Sequence, residues 1–211
     1  MPARPRRRRP AAPGERFDRG YYERFYLDPA SRVSDAAAVR DLAGLVAAWA
    51  RYLDLPVRHV LDLGCGLGHW RDAAREAWPR ARYHGVEISE HLCAQRGWPR
   101  GSVVDFDPVR ELGRGSFDLV VCQGVLQYLT DHEAARALAN LARWTDGLLF
   151  LEVLTRRDWQ RNCDRTRTDG DVRLREGSWY RRRLARHFRA CGGGVFVSRR
   201  AGITLFELEG T

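Results

Sequence analysis

The residues of this chain whose types and spacing could do chemistry sit together in Val60-Leu61-Asp62-Leu63-Gly64-Cys65-Gly66-Leu67-Gly68-His69-Trp70. An apolar run, His59 to Leu63, meets glycines at every second position and then a helical pattern that starts at Trp70. Glycines let backbone approach a ligand closely, and a helix starting at the turn directs its free N–H groups and positive end there. Two ligand classes use such a turn. The dinucleotide fingerprint G-x-G-x-x-G/A wants a small third residue, but counting from Gly64 that position is His69. The pattern present is D-x-G-x-G-x-G, with Asp62 two residues before the first glycine.

Further residues fall where such a ligand would need them. Glu87 closes Gly85-Val86-Glu87-Ile88-Ser89, 23 residues after Gly64, and an acid there can accept from both hydroxyls of a ribose. Asp105-Phe106 follows Ser102-Val103-Val104. Phe117-Asp118-Leu119-Val120-Val121-Cys122-Gln123 runs into Leu126-Gln127-Tyr128. Singly, each has a bland account: Glu87 as a solvated strand end, Asp105 as a turn residue. Together they are ordered along the chain, each at the C-terminal end of a predicted strand. Open α/β sheets bind ligands at those ends.

On these residues the chain resembles the class I S-adenosylmethionine-dependent methyltransferases, from about residue 35 onward. The resemblance implies a single doubly wound, mostly parallel seven-stranded α/β sheet with a C-terminal antiparallel hairpin. It implies that Asp62 lies near the amino group of S-adenosylmethionine, with Gly64, Cys65, Gly66 and Gly68 giving backbone contacts. By the same resemblance Glu87 takes the ribose, Ile88 packs on the adenine, Asp105 and Phe106 meet the adenine amine, and Gln123 faces cofactor and acceptor.

The elements that must position these residues follow from periodicity. Phe17, Tyr21 and Phe25 recur every four residues with Tyr22 and Tyr26 beside them, an aromatic stripe on a short helix that Asp28-Pro29 ends. Residues 35–53 read as an amphipathic helix with Ser34 as cap. Residues 17–53 together form an N-terminal helical cap. Strands are predicted at 59–63, 83–88, 102–104, 117–122 and 148–154, and helices at 70–78, 89–97 and 131–144. That alternation is the mark of βαβ units. Residues 155–177 read as a polar, arginine-rich loop, followed by a helix near 178–190; together, 155–190 is a lid or substrate segment. The runs 195–197 and 203–208 are too close for a crossover helix and are expected to form the hairpin.

Composition narrows the classes. A length of 211 residues with 44% hydrophobic residues suits one folded domain, spanning 17–211. Of the net charge of +9, +5 falls in residues 1–16, which leaves +4 on the body. All 36 basic residues are arginine. Residues 1–16 are read as a disordered basic tail, whose alternative is a nucleic-acid contact. The five cysteines form no C-x-x-C pair, no secretory leader is read, and no stretch of 18 apolar residues occurs. A cytoplasmic protein with reduced thiols, no metal site and no membrane span is expected.

The expected reaction is an in-line displacement, for which holding the reactants in line supplies roughly 7–11 kcal/mol. The acceptor pocket is expected from Tyr21, Tyr22, Gln127, Tyr128, Glu152, Trp179 and Tyr180. No general base is assigned: His132 reads as part of a helix cap, and His69 follows the glycine loop. Many members of the resembled family carry His where this chain has Gln127. A small-molecule acceptor is favoured. RNA or protein is the alternative, weakened because Cys122-Gln123-Gly124-Val125 stands where many nucleic-acid amino methyltransferases have an Asn/Asp-Pro-Pro turn. A nicotinamide-dependent reductase and a non-catalytic binding protein are the remaining alternatives.

Overall fold

The computed structural model describes residues 16–32 and 35–207. Most of the basic tail, and the proposed cap Ser34, lie outside them. Among the described residues one six-stranded sheet runs in the order β2-β1-β3-β4-β6-β5. Its strands are β1 (His59–Leu63), β2 (Arg82–Val86), β3 (Phe117–Gln123), β4 (Thr145–Glu152), β5 (Phe188–Gly192) and β6 (Val195–Ser198). The first four are parallel neighbours, whereas β6 runs antiparallel to both β4 and β5.

Strand pleating splits the core in two. Val60, Leu119, Val121, Leu148 and Phe150 face one side, where they meet Val39, Ala43, Val46 and Trp70. Leu61, Val120, Cys122, Leu149 and Leu151 face the other, against Ala137, Leu138, Leu141, Trp144 and Leu184. Adjacent positions alternate faces because successive side chains of a strand point opposite ways. Helices therefore cover both faces, as a parallel sheet requires.

The helices begin where local chemistry satisfies their first N–H groups. Asp35 rather than Ser34 caps Ala36–Tyr52, accepting from Ala37 N and Ala38 N, both at 3.0 Å. Thr130 and Glu133 make a reciprocal capping box on Asp131–Trp144. His69–Ala77 starts directly from the glycine loop with Gly68 as its N-cap. The N-terminal stripe forms a short helix, Arg19–Tyr22, that widens into a π-turn, Glu23–Leu27, and stops at Asp28.

Three expectations are corrected. Residues 102–104 form a turn, so the seventh strand is missing from the sheet. Asp105 N and Phe106 N both donate to Ser102 O, and Asn140 Nδ2 donates to the carbonyls of Val103 and Val104, so local bonds use the groups a ladder would need. The expected helix over 178–190 is Gly177–Leu184, and the chain then enters β5. The hairpin accordingly joins 188–192 to 195–198, and no strand occupies the described residues 203–207. Gly192, Gly193 and Gly194, with φ of 96°, 57° and 80°, make that reversal. Two short helices were missed, Pro108–Leu112 and Arg156–Arg161. Among the described residues no helix is long and apolar enough to cross a membrane, and no group of three or more His, Cys, Asp or Glu is placed to hold a metal ion.

Candidate active site

The C-terminal ends of β1, β2, β3 and β4 open into a cavity of about 1460 Å³. Its wall includes Asp62, Gly64, Cys65, Gly66, Glu87, Ile88, Gln123, Gln127, Tyr128 and Glu152, and its roof includes Tyr21 and Tyr22. Twelve of the seventeen residues singled out in the sequence thus share one space.

The glycine loop is tied to β2. Gly64 N and Cys65 N donate to Val86 O at 2.8 and 3.1 Å. Gly66, at φ 52°, holds a conformation that side chains disfavour, and it lines the cavity. A Cβ at Gly64 would meet Val125 Cγ2 at 2.5 Å, so this position is closed by packing as well as by its backbone. Trp98, which sequence reasoning missed, braces the loop by donating from Nε1 to Gly66 O at 3.0 Å.

Glu87 is buried at the end of β2. Its Oε1 accepts from Ile88 N and Ser89 N at 2.8 and 2.9 Å, and its Oε2 accepts from Gly66 N at 2.8 Å. Three of the roughly four lone-pair directions of a carboxylate are therefore in use, all by backbone donors. Asp62, only 2% exposed, accepts a hydrogen bond from Tyr83 Oη. Burial pushes its carboxyl up to about 7, against the Tyr83 hydrogen bond and with help from the negative Glu87.

These groups fit the cofactor that the sequence resemblance implies. A glycine cradle with no side chain at Gly66, a buried carboxylate at the end of each of two adjacent strands, and a cavity large enough for a nucleoside plus a second small molecule all coincide. Asp62 would hold an ammonium. The free direction on Glu87 Oε2 would take a hydroxyl, with Gly66 N–H as the bond a second hydroxyl must displace.

On the far wall Trp70 Nε1 donates to Gln123 Oε1 at 2.8 Å, which leaves the Gln123 amide nitrogen to reach Glu152 Oε2 at 3.3 Å. Gln123 and Glu152 are register partners on parallel strands. Glu152 is open to the cavity, yet enclosure raises its carboxyl above the ordinary value; Gln123 opposes that shift and Asp158 adds to it. Gln127 donates to Gly124 O at 2.9 Å, while its Oε1 is buried with no partner.

The roof is built from side chains distant in sequence. Tyr21 Oη lies 2.8 Å from Tyr128 Oη, and Phe17 packs edge-on against both rings. Arg16 lies over the Tyr128 ring and pairs with Asp169 at 2.7 Å and Asp171 at 3.1 Å. Burial pushes the Tyr21, Tyr22 and Tyr26 hydroxyls well above the usual phenol range.

Five residues fall outside the cavity. Gly68 packs on Trp98 as the N-cap of the following helix. The turn at 102–106 sends Asp105 outward to Arg136 at 3.4 Å and Phe106 into the core, so Gly101, Ser102 and Val103 line the cavity instead. Tyr180 is buried, and its Oη accepts from Arg175 Nη1 at 3.0 Å. Trp179 lies under Arg183, 3.7 Å from guanidinium carbon to ring centre. Both therefore anchor the last helix. His132 is exposed and off the cavity, whereas His69 lines it, its pKa lowered by burial.

Arg175 is the buried residue that no sequence signal marked. It donates to Asp131 at 2.8 Å, to the carbonyls of Leu126 and Leu129, and to Tyr180, which pins the polar segment onto the turn after β3.

Comparison with known proteins agrees with this architecture. A family model described as a methyltransferase domain matches residues 61–146. A trans-aconitate 2-methyltransferase from Klebsiella pneumoniae is 36% identical over 101 residues, covering 47% of this chain and 39% of that protein. One from Deinococcus radiodurans is 33% identical over 108 residues, covering 50% and 38%. The match thus spans about two fifths of the length of these relatives. Among solved structures, a sugar N-methyltransferase from a Streptoalloteichus species superposes with a TM-score of 0.59 at 22% identity, covering 94% of this chain and 98% of that one. The magnesium protoporphyrin IX methyltransferase of Synechocystis with bound SAH gives 0.59 at 18%, covering 90% and 94%. Residues 61–146 are thus similar to a methyltransferase domain, and the chain shares the fold of solved methyltransferases.

Proposed function

We propose that this chain transfers the methyl group of S-adenosylmethionine to a small-molecule acceptor. One observation carries the reading: at the ends of adjacent strands the glycine loop and the acid after β2 are in direct contact, Gly66 N to Glu87 Oε2 at 2.8 Å. When bound, the cofactor supplies an activated methyl group. Everything else falls to the protein. Asp62 and Glu87 hold the two polar ends, Ile88 and Val103 offer apolar surface between them, and the tyrosine roof keeps water from the reacting line. A positive sulfonium loses its charge as the methyl leaves, so a dry, aromatic chamber favours transfer.

Several features favour a small acceptor. The cavity carries an aromatic roof, and Arg16 with its partners Asp169 and Asp171 lines its rim. The curated relatives are named for a small acid, and the solved neighbours for a sugar and a porphyrin. Residues 155–176, fastened by Arg175, act as the acceptor segment of a single domain over 17–211.

Calorimetry with S-adenosylmethionine tests the reading, with NAD(H) as control. Binding of the first, release of SAH on turnover with metabolite pools and no response to the second are expected. Binding of NAD(H) alone would overturn it.

A further inference from the structure

We propose that the methyl acceptor is an amine and that Glu152 receives it, holding the ammonium and taking its proton before methyl transfer. This rests on the methyltransferase reading and deepens it.

Most carboxylates of the cavity are already in use. Glu87 is held by three backbone N–H groups, and Asp62 is held by Tyr83. Glu133 and Asp158 cap helices, Asp164 is bonded to Thr166, and Asp169 and Asp171 face Arg16. Glu152 differs. It forms no ion pair among the described residues, and its carboxylate accepts one long hydrogen bond, from Gln123 Nε2 at 3.3 Å. That amide cannot turn to offer its oxygen, because Trp70 Nε1 already occupies it. The carboxylate therefore keeps most of its accepting capacity toward the cavity.

A second group points to the same kind of ligand. Gln127 is 7% exposed and lines the same cavity, and its Oε1 is buried without a partner. The amide orientation is fixed, since Nε2 donates to Gly124 O at 2.9 Å. An acceptor atom stranded in this way is costly until a donor arrives. Glu152 stands at the end of β4 and Gln127 in the turn after β3; the first has accepting capacity to spare and the second has no donor on Oε1. A group that brings several N–H bonds and a positive charge suits both acceptors, whereas a carboxylate placed beside Glu152 would meet a like charge.

The chemistry closes. An ammonium has no lone pair, so it must lose a proton before it can attack. Glu152 accepts that proton and becomes the neutral acid. The freed nitrogen lone pair then forms the bond to the methyl carbon while the carbon–sulfur bond breaks, its electron pair staying on sulfur. The product is the methylated ammonium, and the sulfur ends neutral. The ionisable groups facing Glu152 are Asp158, from the helix Arg156–Arg161, and Tyr26, from the N-terminal roof. Enclosure, with a smaller contribution from Asp158, raises the Glu152 carboxyl, which makes it a better proton acceptor than an open carboxylate.

The test uses the full chain saturated with SAH and a panel of amines: ethanolamine, cyclohexylamine and D-glucosamine, each beside its N-acetyl form. At least one amine should raise the melting temperature of the SAH complex while its acetylated partner does not. Glu152→Gln should remove that shift, and Glu152→Asp should keep part of it. With labelled S-adenosylmethionine the same amine should take up label, and Glu152→Gln should slow uptake on the order of 10²–10⁴-fold and remove one ionisation from the pH profile. Amines that stabilise Glu152→Gln as well as the parent, or label entering carboxylate or hydroxyl probes at the same rate in both proteins, would overturn the inference. SAH affinity separates the two levels. If neither protein binds SAH, the methyltransferase reading fails; if both bind it and no amine binds, only the amine inference fails.

Discussion

The two walls of the cavity are made of different material. The wall formed by β1, β2 and the glycine loop uses main-chain groups and two carboxylates, all within residues 59–89. The roof uses side chains from opposite ends of the chain, with Arg16 reaching Asp169 and Tyr21 reaching Tyr128. Backbone at strand ends is fixed by the sheet, so the first wall is rigid before any ligand arrives. A roof of paired side chains can be rebuilt without touching the fold. The same scaffold can thus keep one cofactor while its acceptor changes.

Substitutions can break this contrast. The largest effect is expected on the backbone wall. Gly66→Arg forces a long side chain onto a left-handed residue that faces the cavity, and calorimetry should show S-adenosylmethionine affinity falling more than about 100-fold. Circular dichroism should be unchanged; a lost fold, or retained affinity, would remove the loop from the site.

Arg175→Ala addresses how the roof is fastened. It strands the carbonyls of Leu126 and Leu129 and the Tyr180 hydroxyl, so denaturant unfolding should report a loss of about 2–4 kcal/mol. A loss below about 0.5 kcal/mol would mean that water replaces the guanidinium easily.

Asp62→Asn should act in opposite directions on binding and stability. The carboxyl is raised to about 7 in the folded protein from an ordinary 3.8. The folded state therefore holds the extra proton between these values, and this group's contribution to stability is lost as pH rises through them. At pH 8 the neutral variant should be more stable than the parent by roughly 1–3 kcal/mol, and the gain should vanish near pH 4. Cofactor affinity should fall at least about tenfold, since the ammonium loses its counter-charge. A variant destabilised at pH 8 would contradict the buried-charge account.

Arg16→Ala should be the mildest. Its ion pairs reach the surface, so stability should change by less than about 1 kcal/mol, and the residual effect should fade in high salt. Exchange of bound SAH, followed by stopped flow, should nevertheless become several-fold faster. No change in exchange would mean that the pairs do not cover the cavity.

This contrast also explains what could be read from the sequence. β1, the loop, β2 and β3 are local apolar runs ended by glycine or acid, and they fell within one or two residues of their places. The turn at 102–106 was misread because Val103-Val104 is apolar enough for a strand; what stops it is the bonding of Ser102 and of Asn140, a residue some 36 positions away. The hairpin was misplaced by one element because Phe188–Gly192 continues a helical pattern up to the three glycines. Trp179 and Tyr180 resembled pocket aromatics, but their roles depend on Arg175, whose bonds to Asp131, Leu126 and Leu129 are tertiary. The strongest local signal for the Pro108–Leu112 helix, Asp107-Pro108 at its start and Gly113 at its end, was present and went unused.

The contact between Gly66 and Glu87 has a further consequence. A carboxylate without a ligand here is not bare; the Gly66 N–H already occupies Glu87 Oε2. A ligand hydroxyl arriving at that oxygen would exchange one partner for another, and its departure would restore the first. Such an exchange would ask little reorganisation of the carboxylate in either direction.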